Sequence, residues 1–329
     1  MKAVAFDGRL ILLDQRELPQ RETYLEIGTA REARDAIRDM AVRGAPAIGL
    51  AAAFAMVLAA REAMATPEPR QALSDLAAML AAARPTAVNL RHEVERALAV
   101  LEGPTGSWYE AALRHAEALV DHQCDEDRAM AENALPLFRP GMRVLTHCNT
   151  GALATGGFGT AFAAIAEAHR RLGLGEVFAD ETRPRLQGAR LTALELARAG
   201  IPHHVIVDGA AAHFMAQRRV DLVIVGADRI GQDGRVANKI GTYGLAVSAH
   251  HHGIPFVVVA PRSSCDPSWP GAGEVEIEQR DPSEVLEFLG QRVAGAGSDA
   301  LNPAFDVTPG ELVTAIVRED GLYRPPYAF

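Results

Sequence analysis

The first third of the chain carries apolar residues at the spacing of helices. Residues Thr29-Ala30-Arg31-Glu32 have the form of a capping box and lead into Ile37 and Met40 on one helical face. Pro46 fits the first turn of an alanine-rich helix that runs to about Glu62. Because this region has few runs of β-branched residues, an all-helical unit is its simplest interpretation, and we expect a mainly helical N-terminal domain over residues 1–125. Further helical stretches are expected at about 70–82, 91–102 and 108–133.

Beyond Pro140 the pattern changes to short apolar runs separated by amphipathic helical stretches. A strand and a helix that repeat about every 20 to 35 residues are typical of βαβ units and of a parallel, doubly wound sheet. A last capped helix is expected from Thr308 through Val317. The fold class is therefore α/β, with a Rossmann-like domain over residues 126–329. The predicted strands are Arg143 to His147, Val177 to Asp180, His204 to Asp208, Leu222 to Gly226 and Ile254 to Ala260.

Length and charge narrow the classes of function. The 329 residues are enough for about two domains, each with its own core. The chain has 33 basic against 42 acidic residues and a formal net charge of −9. This balance disfavours the broad basic surface that nucleic-acid binding requires, so no nucleic-acid partner is expected. A local site for a small anion remains compatible with it.

Cysteine use and the apolar runs indicate the compartment. The three cysteines, Cys124, Cys148 and Cys265, are too few and too scattered for a disulfide framework. The N-terminus reaches charged residues before any long apolar stretch, so it does not have the form of a signal peptide. The longest uncharged apolar run, 45–60, is too short to span a bilayer. We therefore expect a cytoplasmic protein with free thiols and no membrane partner.

Candidate chemistry collects where the predicted strands end, since ligands of open parallel sheets bind beyond the carboxyl ends of the strands. Cys148 follows the first strand and Asp228 follows the fourth. An ordinary thiol is only a few per cent thiolate at pH 7, so catalysis by Cys148 needs help from its surroundings; otherwise it is a small buried apolar residue. If Asp228 is partly buried, it suits a general acid; otherwise it pairs with Arg229 or caps the next helix.

Basic residues supply candidate anion contacts. Only Lys2 and Lys239 are lysine, so an internal lysine is unusual in this chain and Lys239 is a candidate contact for substrate oxygens, the alternative being a solvated surface residue. Arg43 stands before Gly44 and Ala45, whose amides lie at a predicted helix N-terminus, which suits a phosphate. An ordinary surface arginine is the alternative there.

Two further patterns point away from cofactors. The glycine-rich segment 151–159 is followed by Phe162, where a dinucleotide fingerprint needs a small residue, and no P-loop lysine follows. The runs His203-His204 and His250-His251-His252 place neighbouring histidines on different faces, so they are poor metal sites. We therefore expect neither a bound cofactor nor a metal.

Taken together, these motifs resemble the methylthioribose-1-phosphate isomerase family. The resemblance runs over essentially the whole chain, from Leu13 to Asp306. Each motif is moderate evidence by itself, and their combination in this order is specific. The matching segments are 43–49, 84–90, 146–155, 180–184, 186–190, 226–230 and 236–243.

The resemblance implies isomerisation of 5-methylthio-α-D-ribose 1-phosphate to the ribulose 1-phosphate in methionine salvage, without a metal or a nucleotide cofactor. It also implies a helical N-terminal domain, a Rossmann-like domain and a homodimer. Cys148 and Asp228 would carry the chemistry. The substrate-binding residues carried over by motif are Arg43, Gly44, Ala45, Arg84, Gln187, Asn238 and Lys239.

Two routes fit this reaction and the sequence does not choose between them. In one, Asp228 donates a proton to the ring oxygen and Cys148 removes the C2 proton as a thiolate. In the other, hydride passes from C2 to C1 and Cys148 shapes the site. Two rival functions also stay open: another sugar-1-phosphate isomerase, acting on 5-deoxyribose 1-phosphate or ribose 1,5-bisphosphate, and a non-catalytic regulatory subunit like those of initiation factor 2B.

Overall fold

The chain divides into two compact units. The computed structural model describes residues 2–84, 88–269, 277–288 and 290–329. One unit contains Met1–Asp125 together with Gly151–Gly159, and the other contains Glu126–Thr150 and Thr160–Phe329. The predicted division at residues 125 and 126 differs from this one by the glycine-rich segment, which packs with the N-terminal unit.

The N-terminal unit is mainly helical, with a small antiparallel sheet. The expectation of an all-helical unit was wrong, because three short strands precede the first helix and pair in the order β1-β2-β3. Each strand has only three or four residues, too few to show a period in the sequence. The elements are β1 (Val4–Phe6), β2 (Leu10–Leu13), β3 (Tyr24–Ile27), α1 (Ala30–Arg38), α2 (Ala45–Met64), α3 (Pro69–Ala81), α4 (Val88–Val100), α5 (Trp108–Ala134, which continues into the second unit) and α6 (Ala152–Thr155).

Helix α2 forms the core of this unit. It contacts α1, α3, α4 and α6, and its small side chains let these helices approach closely. Among the described residues it is the one helix with the length and hydropathy to cross a membrane, but 83% of its most apolar window is buried inside the protein. The predicted capping box before α1 is present, with Thr29 and Glu32 each accepting the other's backbone N–H.

The second unit is built around a seven-stranded sheet. Alternate residues of its strands face two apolar clusters: Val144 and Val177 lie in one, and Leu145 and Phe178 in the other. Both faces of the sheet are therefore covered, as in doubly wound folds. The elements are β4 (Arg143–Thr146), α7 (Ala161–Leu172), β5 (Glu176–Asp180), α8 (Ala193–Arg198), β6 (His203–Ile206), α9 (Ala211–Ala216), β7 (Leu222–Val225), β8 (Arg229–Ile230), β9 (Val236–Lys239), α10 (Thr242–His251), β10 (Phe256–Val259), α11 (Ser283–Leu286), β11 (Glu287–Phe288), β12 (Gln291–Arg292), β13 (Phe305–Thr308), β14 (Ala315–Arg318) and β15 (Gly321–Tyr323).

The strand order of this sheet is β15-β14-β10-β7-β4-β5-β6. All pairs are parallel except β14 with β15, and the five predicted strands are confirmed as β4, β5, β6, β7 and β10. From β4 the chain builds outward to β5 and β6, and then returns to the other side of β4 with β7. The direction of winding therefore reverses between β4 and β7, which creates a crevice at their carboxyl ends. A separate three-stranded sheet, β13-β9-β8, carries residues 236–239.

The helix predicted from Thr308 through Val317 was wrong. The segment forms a short 3₁₀ turn at Gly310–Leu312 and then the buried strand β14, which pairs with β10 and β15. The capping signal is local, whereas the buried run that includes Ile316 and Val317 gains more by joining the sheet.

Replacement of Ile316 tests this placement. Ile316→Ala removes a fully buried side chain from the sheet and should lower the free energy of unfolding by about 2–5 kcal/mol. Leu301, whose side chain is 89% exposed, is the matched control, and Leu301→Ala should change stability by less than about 0.5 kcal/mol. Urea denaturation measures both, and equal losses would contradict the buried position of Ile316.

Candidate active site

The crevice between β4 and β7 carries the two predicted catalytic residues. Cys148 lies two residues after the end of β4, and Asp228 three residues after the end of β7. The segments that follow the two strands also touch, because a Cβ added to Gly226 would lie 2.9 Å from Cγ2 of Thr150. The fold thus brings the Cys148 and Asp228 segments to one edge of the sheet, as predicted.

Cys148 is held in an uncommon backbone conformation. Its φ is +64°, in the left-handed region that non-glycine residues rarely adopt. Its backbone N–H donates to Oγ1 of Thr182 at 2.9 Å, and its carbonyl accepts from Oγ1 of Thr192 at 2.6 Å. Next to it, Asn149 donates to Glu195 at 2.6 Å. These bonds offset the cost of the conformation and fix the direction of the thiol.

Gln187 contacts the Cys148 thiol, with Nε2 lying 3.3 Å from Sγ. The position of Gln187 depends on its neighbour Gly188, because a Cβ at residue 188 would lie 1.7 Å from the carbonyl oxygen of Asp180. The backbone therefore passes the end of β5 at a distance that only glycine allows. One turn of π-helix, Gly188–Thr192, follows and brings Thr192 to Cys148.

Asp228 is exposed, which corrects the expectation of a partly buried carboxyl. Its backbone N–H donates to the carbonyl of Ala237 at 3.1 Å and so ties it to β9, beside Asn238. The neighbouring Arg229 pairs with Asp266 at 3.5 Å. The apolar strand before Asp228 ends at Val225, and Asp228 lies in the segment that follows the carboxyl end of this strand.

Asn238 and Lys239 stand at the end of β9. Asn238 is buried and donates to Oγ1 of Thr242 at 3.1 Å. Lys239 is half-buried, its Nζ donating to the carbonyl of Ala304 at 2.9 Å and lying 4.2 Å from the ring centre of Phe305. Lys239 is therefore held by contacts within the protein and is not a solvated surface lysine, while its role as a substrate contact stays a prediction.

Gln187 and Lys239 face the same small cavity. Its volume of about 20 Å³ holds roughly one water molecule. Through the contact of Gln187 with the thiol, the structure links Cys148, Gln187 and Lys239. The cavity is lined by Pro184, Arg185, Gln187, Lys239, Ile240, Arg280, Glu284, Asn302 and Ala304.

Four predicted binding residues belong to the helical unit. Gly44 caps α2 with a φ of +89°, and a Cβ there would lie 2.2 Å from the carbonyl oxygen of Ala154. Ala45 is the first residue of α2, and half-buried Arg43 precedes them. Arg84 is half-buried after α3, while the next motif residues, 85–87, lie outside the described residues.

Sequence analysis missed the functional potential of a buried pair, His147 and Asp180. The His147 ring lies 3.0 Å from Oδ2 of Asp180 through Nδ1 and 2.9 Å from the carbonyl oxygen of Ile240 through Nε2. Burial, the largest single influence, lowers the pKa of His147, but the bond to Asp180 and the negative charges around the ring together outweigh it and raise that pKa to about 9. Burial raises the pKa of Asp180 to about 6. The signal available in the sequence was the position of each residue at the carboxyl end of a strand.

Asp208 completes a group that has the donor types of a metal site. Ligand atoms of His147, Asp180 and Asp208 all lie within 4.8 Å of one another. The two carboxylate oxygens of Asp208 accept the backbone N–H groups of Thr182 and Arg183, both at 2.7 Å. In this structure these atoms form a hydrogen-bond network that holds the loop between β5 and Gln187.

Comparison with known proteins shows the family to which the chain belongs. The model of the initiation factor 2 subunit family matches residues 41–325. The chain belongs to this family. Members of this family are named for different functions, so the names of individual relatives bear on the function of this chain.

One such relative is the methylthioribose-1-phosphate isomerase of Thioalkalivibrio sulfidiphilus, 52% identical over 330 residues, which cover 99% of this chain and 94% of the relative. The crystal structure of 5-methylthioribose 1-phosphate isomerase from Pyrococcus horikoshii has a TM-score of 0.92 and 37% identity, covering 99% of this chain and 93% of that one. The resemblance found in the motifs is thus confirmed.

A second structural relative is named as an initiation-factor subunit and not as an enzyme. The crystal structure of translation initiation factor eIF-2B, subunit delta, from A. fulgidus has a TM-score of 0.91 and 41% identity, covering 99% of this chain and 97% of that one. The fold is therefore common to proteins named as enzymes and as initiation-factor subunits, and function has to be argued from the site.

Gly188 provides a test of the site geometry within this family fold. Gly188→Ala places a methyl group against the Asp180 carbonyl and should lower the free energy of unfolding by about 1–3 kcal/mol, because the backbone there has to shift. It should also displace Gln187 and slow turnover. Gly209→Ala is the matched control, since nothing lies within 4 Å of its added Cβ. Thermal and urea unfolding measure the difference, and equal stability of the two variants would contradict the close approach.

Proposed function

We propose that this protein converts 5-methylthioribose 1-phosphate into 5-methylthioribulose 1-phosphate. The observation that carries the proposal is the meeting of Cys148 and Asp228 segments at the crevice between β4 and β7, with Gln187 on the thiol. Relatives about 50% identical over nearly the whole chain are named as methylthioribose-1-phosphate isomerases, which supports this substrate. The reaction would belong to methionine salvage.

The chemistry explains the need for both residues. A phosphate on C1 blocks the free aldehyde, so the furanose ring has to open with the phosphate in place. Asp228 donates a proton to the ring oxygen and later moves protons between substrate oxygens. Asp228 is exposed in the chain alone, so in this proposal the bound sugar covers its carboxyl.

Cys148 then acts as the base. Its thiolate removes the C2 proton, the C2–H electron pair forms the enolate-type intermediate, and a proton is returned at C1. One hydrogen moves from C2 to C1, so the step balances without an oxidant or a reductant. If deuterium at C2 of the substrate is lost to water in the product, proton transfer is supported, whereas complete retention at C1 favours hydride transfer.

Substrate binding is assigned by chemistry in this proposal. Lys239 and Asn238 bind substrate oxygens, and Gln187 holds the sugar next to Cys148. Arg43, Gly44, Ala45 and Arg84 of the helical unit keep the substrate-binding roles predicted from their motifs. Arg43 and the amides at the start of α2 suit the phosphate.

The proposal includes a cytoplasmic homodimer. Val205 and Val207 at the edge strand β6, with Tyr243 and Val247 on α10, are exposed apolar side chains, and Val207 is 59% exposed. An unpaired edge strand with apolar residues is commonly covered in an assembly. A second copy of the chain is the occupant proposed here.

Turnover of the named substrate is the first test. Proton and phosphorus NMR of the purified protein with 5-methylthioribose 1-phosphate, in buffer with chelator and no nucleotide, should show the ketose phosphate forming to equilibrium. If the protein converts 5-deoxyribose 1-phosphate or ribose 1,5-bisphosphate but not 5-methylthioribose 1-phosphate, its substrate is another sugar phosphate. If folded protein converts none of them, the result would favour the alternative of a non-catalytic regulatory subunit.

Removal of the proposed acid is the second test. Asp228→Asn should lower kcat by roughly 10²- to 10⁴-fold, because the amide cannot supply the proton. Since Asp228 is exposed, the melting temperature should stay near that of the parent protein. Asp299→Asn, also at an exposed aspartate, is the matched control and should keep full activity. A near-normal kcat in Asp228→Asn would refute the acid role.

A further inference from the structure

Glu284, on the short helix α11, is a carboxylate to which the proposed chemistry gives no role. It accepts from Nε and Nη2 of Arg280 at 2.9 and 2.8 Å, from Nη1 of Arg185 at 2.8 Å and from Nδ2 of Asn302 at 3.1 Å. Its side chain is 17% exposed and that of Arg280 is 15% exposed. Burial raises the pKa of Glu284, but these bonds outweigh burial and lower the pKa to about 2. One ionised carboxylate thus joins three side chains from different segments.

The bond to Arg185 fixes the loop that carries Gln187. Gln187 comes two residues after Arg185, and its Nε2 lies 3.3 Å from Sγ of Cys148. A second arginine of this loop also contacts α11, since Nη2 of Arg183 donates to the carbonyl of Val285 at 3.1 Å. The position of the amide on the thiol therefore depends on how this loop is held against α11.

The bond to Asn302 fixes the segment that holds Lys239. Asn302 is buried, and its Nδ2 also donates to the carbonyl of Asp281 at 2.9 Å. Two residues further on, the carbonyl of Ala304 accepts from Nζ of Lys239 at 2.9 Å and from the backbone N–H of Ile240 at 3.1 Å. The position of the lysine amine therefore depends on the segment that begins at Asn302.

Charge gives the carboxylate a second effect on the small cavity that Gln187 and Lys239 line. Arg185, Arg280 and Lys239 are cations in the lining, and Glu284 is the one acid among the described residues there. Without this carboxylate, three positive charges would surround a space of about 20 Å³. Their repulsion would favour movement of the arginines toward solvent, and the segments that they hold would follow.

We propose that Glu284 is a positioning residue whose carboxylate holds Gln187 and Lys239 in place. It acts on them through Arg185 and Asn302. This role rests on the proposed isomerase function, in which Gln187 holds the sugar beside the catalytic thiol and Lys239 binds substrate oxygens. Loss of the carboxylate should therefore lower kcat through the first residue and raise KM through the second.

Replacement of the carboxylate by an amide of the same shape is the first test. Glu284→Gln should lower kcat/KM by about ten- to a hundredfold, because small displacements of groups that hold a substrate are this costly. Glu284→Asp keeps the charge and should recover part of the loss. Glu287→Gln, at an exposed glutamate of the same segment, is the matched control and should keep kcat and KM within about twofold of the parent values.

A destabilised variant separates positioning from loss of stability. Ile316 is fully buried in β14, which lies two strands away from β7 in the sheet. Ile316→Ala, assayed below its melting temperature, should keep the kcat and KM of the parent protein. If Ile316→Ala and Glu284→Gln lose the same fraction of kcat/KM, stability and not position is responsible, and the proposal is overturned.

A double-mutant cycle tests the path through Arg185. Arg185→Met removes the same bond from the other side and should also lower kcat. If Glu284 acts on the Gln187 loop through Arg185, the double variant loses no more kcat than the more affected single variant. Independent losses that multiply in the double variant would contradict this path.

Hydrogen exchange followed by mass spectrometry provides a readout that needs no substrate. In Glu284→Gln, peptides that contain residues 183–192 and 302–308 should exchange faster than in the parent protein, while a peptide from α3 should be unchanged. Faster exchange confined to residues 280–288, or no change at all, would overturn the proposal. If Glu284→Gln does not fold, Arg185→Met, at a side chain that is 37% exposed, gives the same measurement for the loop of Gln187.

The exchange result also separates the two proposals. If the protein turns over no sugar phosphate but exchange increases in both segments, the isomerase function fails while the hold of Glu284 on the two segments is supported. If turnover is found and exchange is unchanged, the isomerase function stands and the role of Glu284 fails.

Discussion

The reversal of winding between β4 and β7 is the constraint on which the site depends. Crossover helices cover the two sides of a parallel sheet, but at the reversal the chain leaves in opposite directions and no crossover fills the space between the two carboxyl ends. The residues after these strands, Cys148 and Asp228, are therefore the ones that open onto a crevice. Their chemistry requires this topology, since neither residue is near the other in sequence.

The segments around the site approach each other closely through their backbones. These contacts require glycine, or a residue in the left-handed conformation, at particular positions. Gly188 lets residues 187–192 pass against the end of β5, and Gly226 leaves room for Thr150. The left-handed Cys148 is held by Thr182 and Thr192. The Cys148 thiol on this framework has a fixed direction. Binding of a small sugar therefore costs less conformational entropy than it would at a mobile thiol.

Sequence reasoning succeeded where the signal is local and failed where tertiary position decides. The apolar runs correctly predicted five strands of the sheet, β4, β5, β6, β7 and β10. The assignment of Lys239 as a substrate contact, made from the rarity of lysine, stays a prediction. The capping signal near Thr308 was overridden because Ile316 is more stable inside the sheet. The burial expected for Asp228 was wrong because its exposure depends on the turn after β7. The spacing of apolar residues in the sequence does not encode the direction of that turn. His147 looked ordinary, since its two partners come from β5 and from residue 240, far along the chain.

The scarcity of lysine also has a practical consequence. The side chains of Lys2 and Lys239 are the two lysine amines in the chain; the first is exposed near the N-terminus and the second is half-buried against Phe305. Their surroundings differ enough for amine-selective reagents to distinguish them by rate. The reaction rate of Lys239 would therefore report on access to the small cavity that it lines together with Gln187.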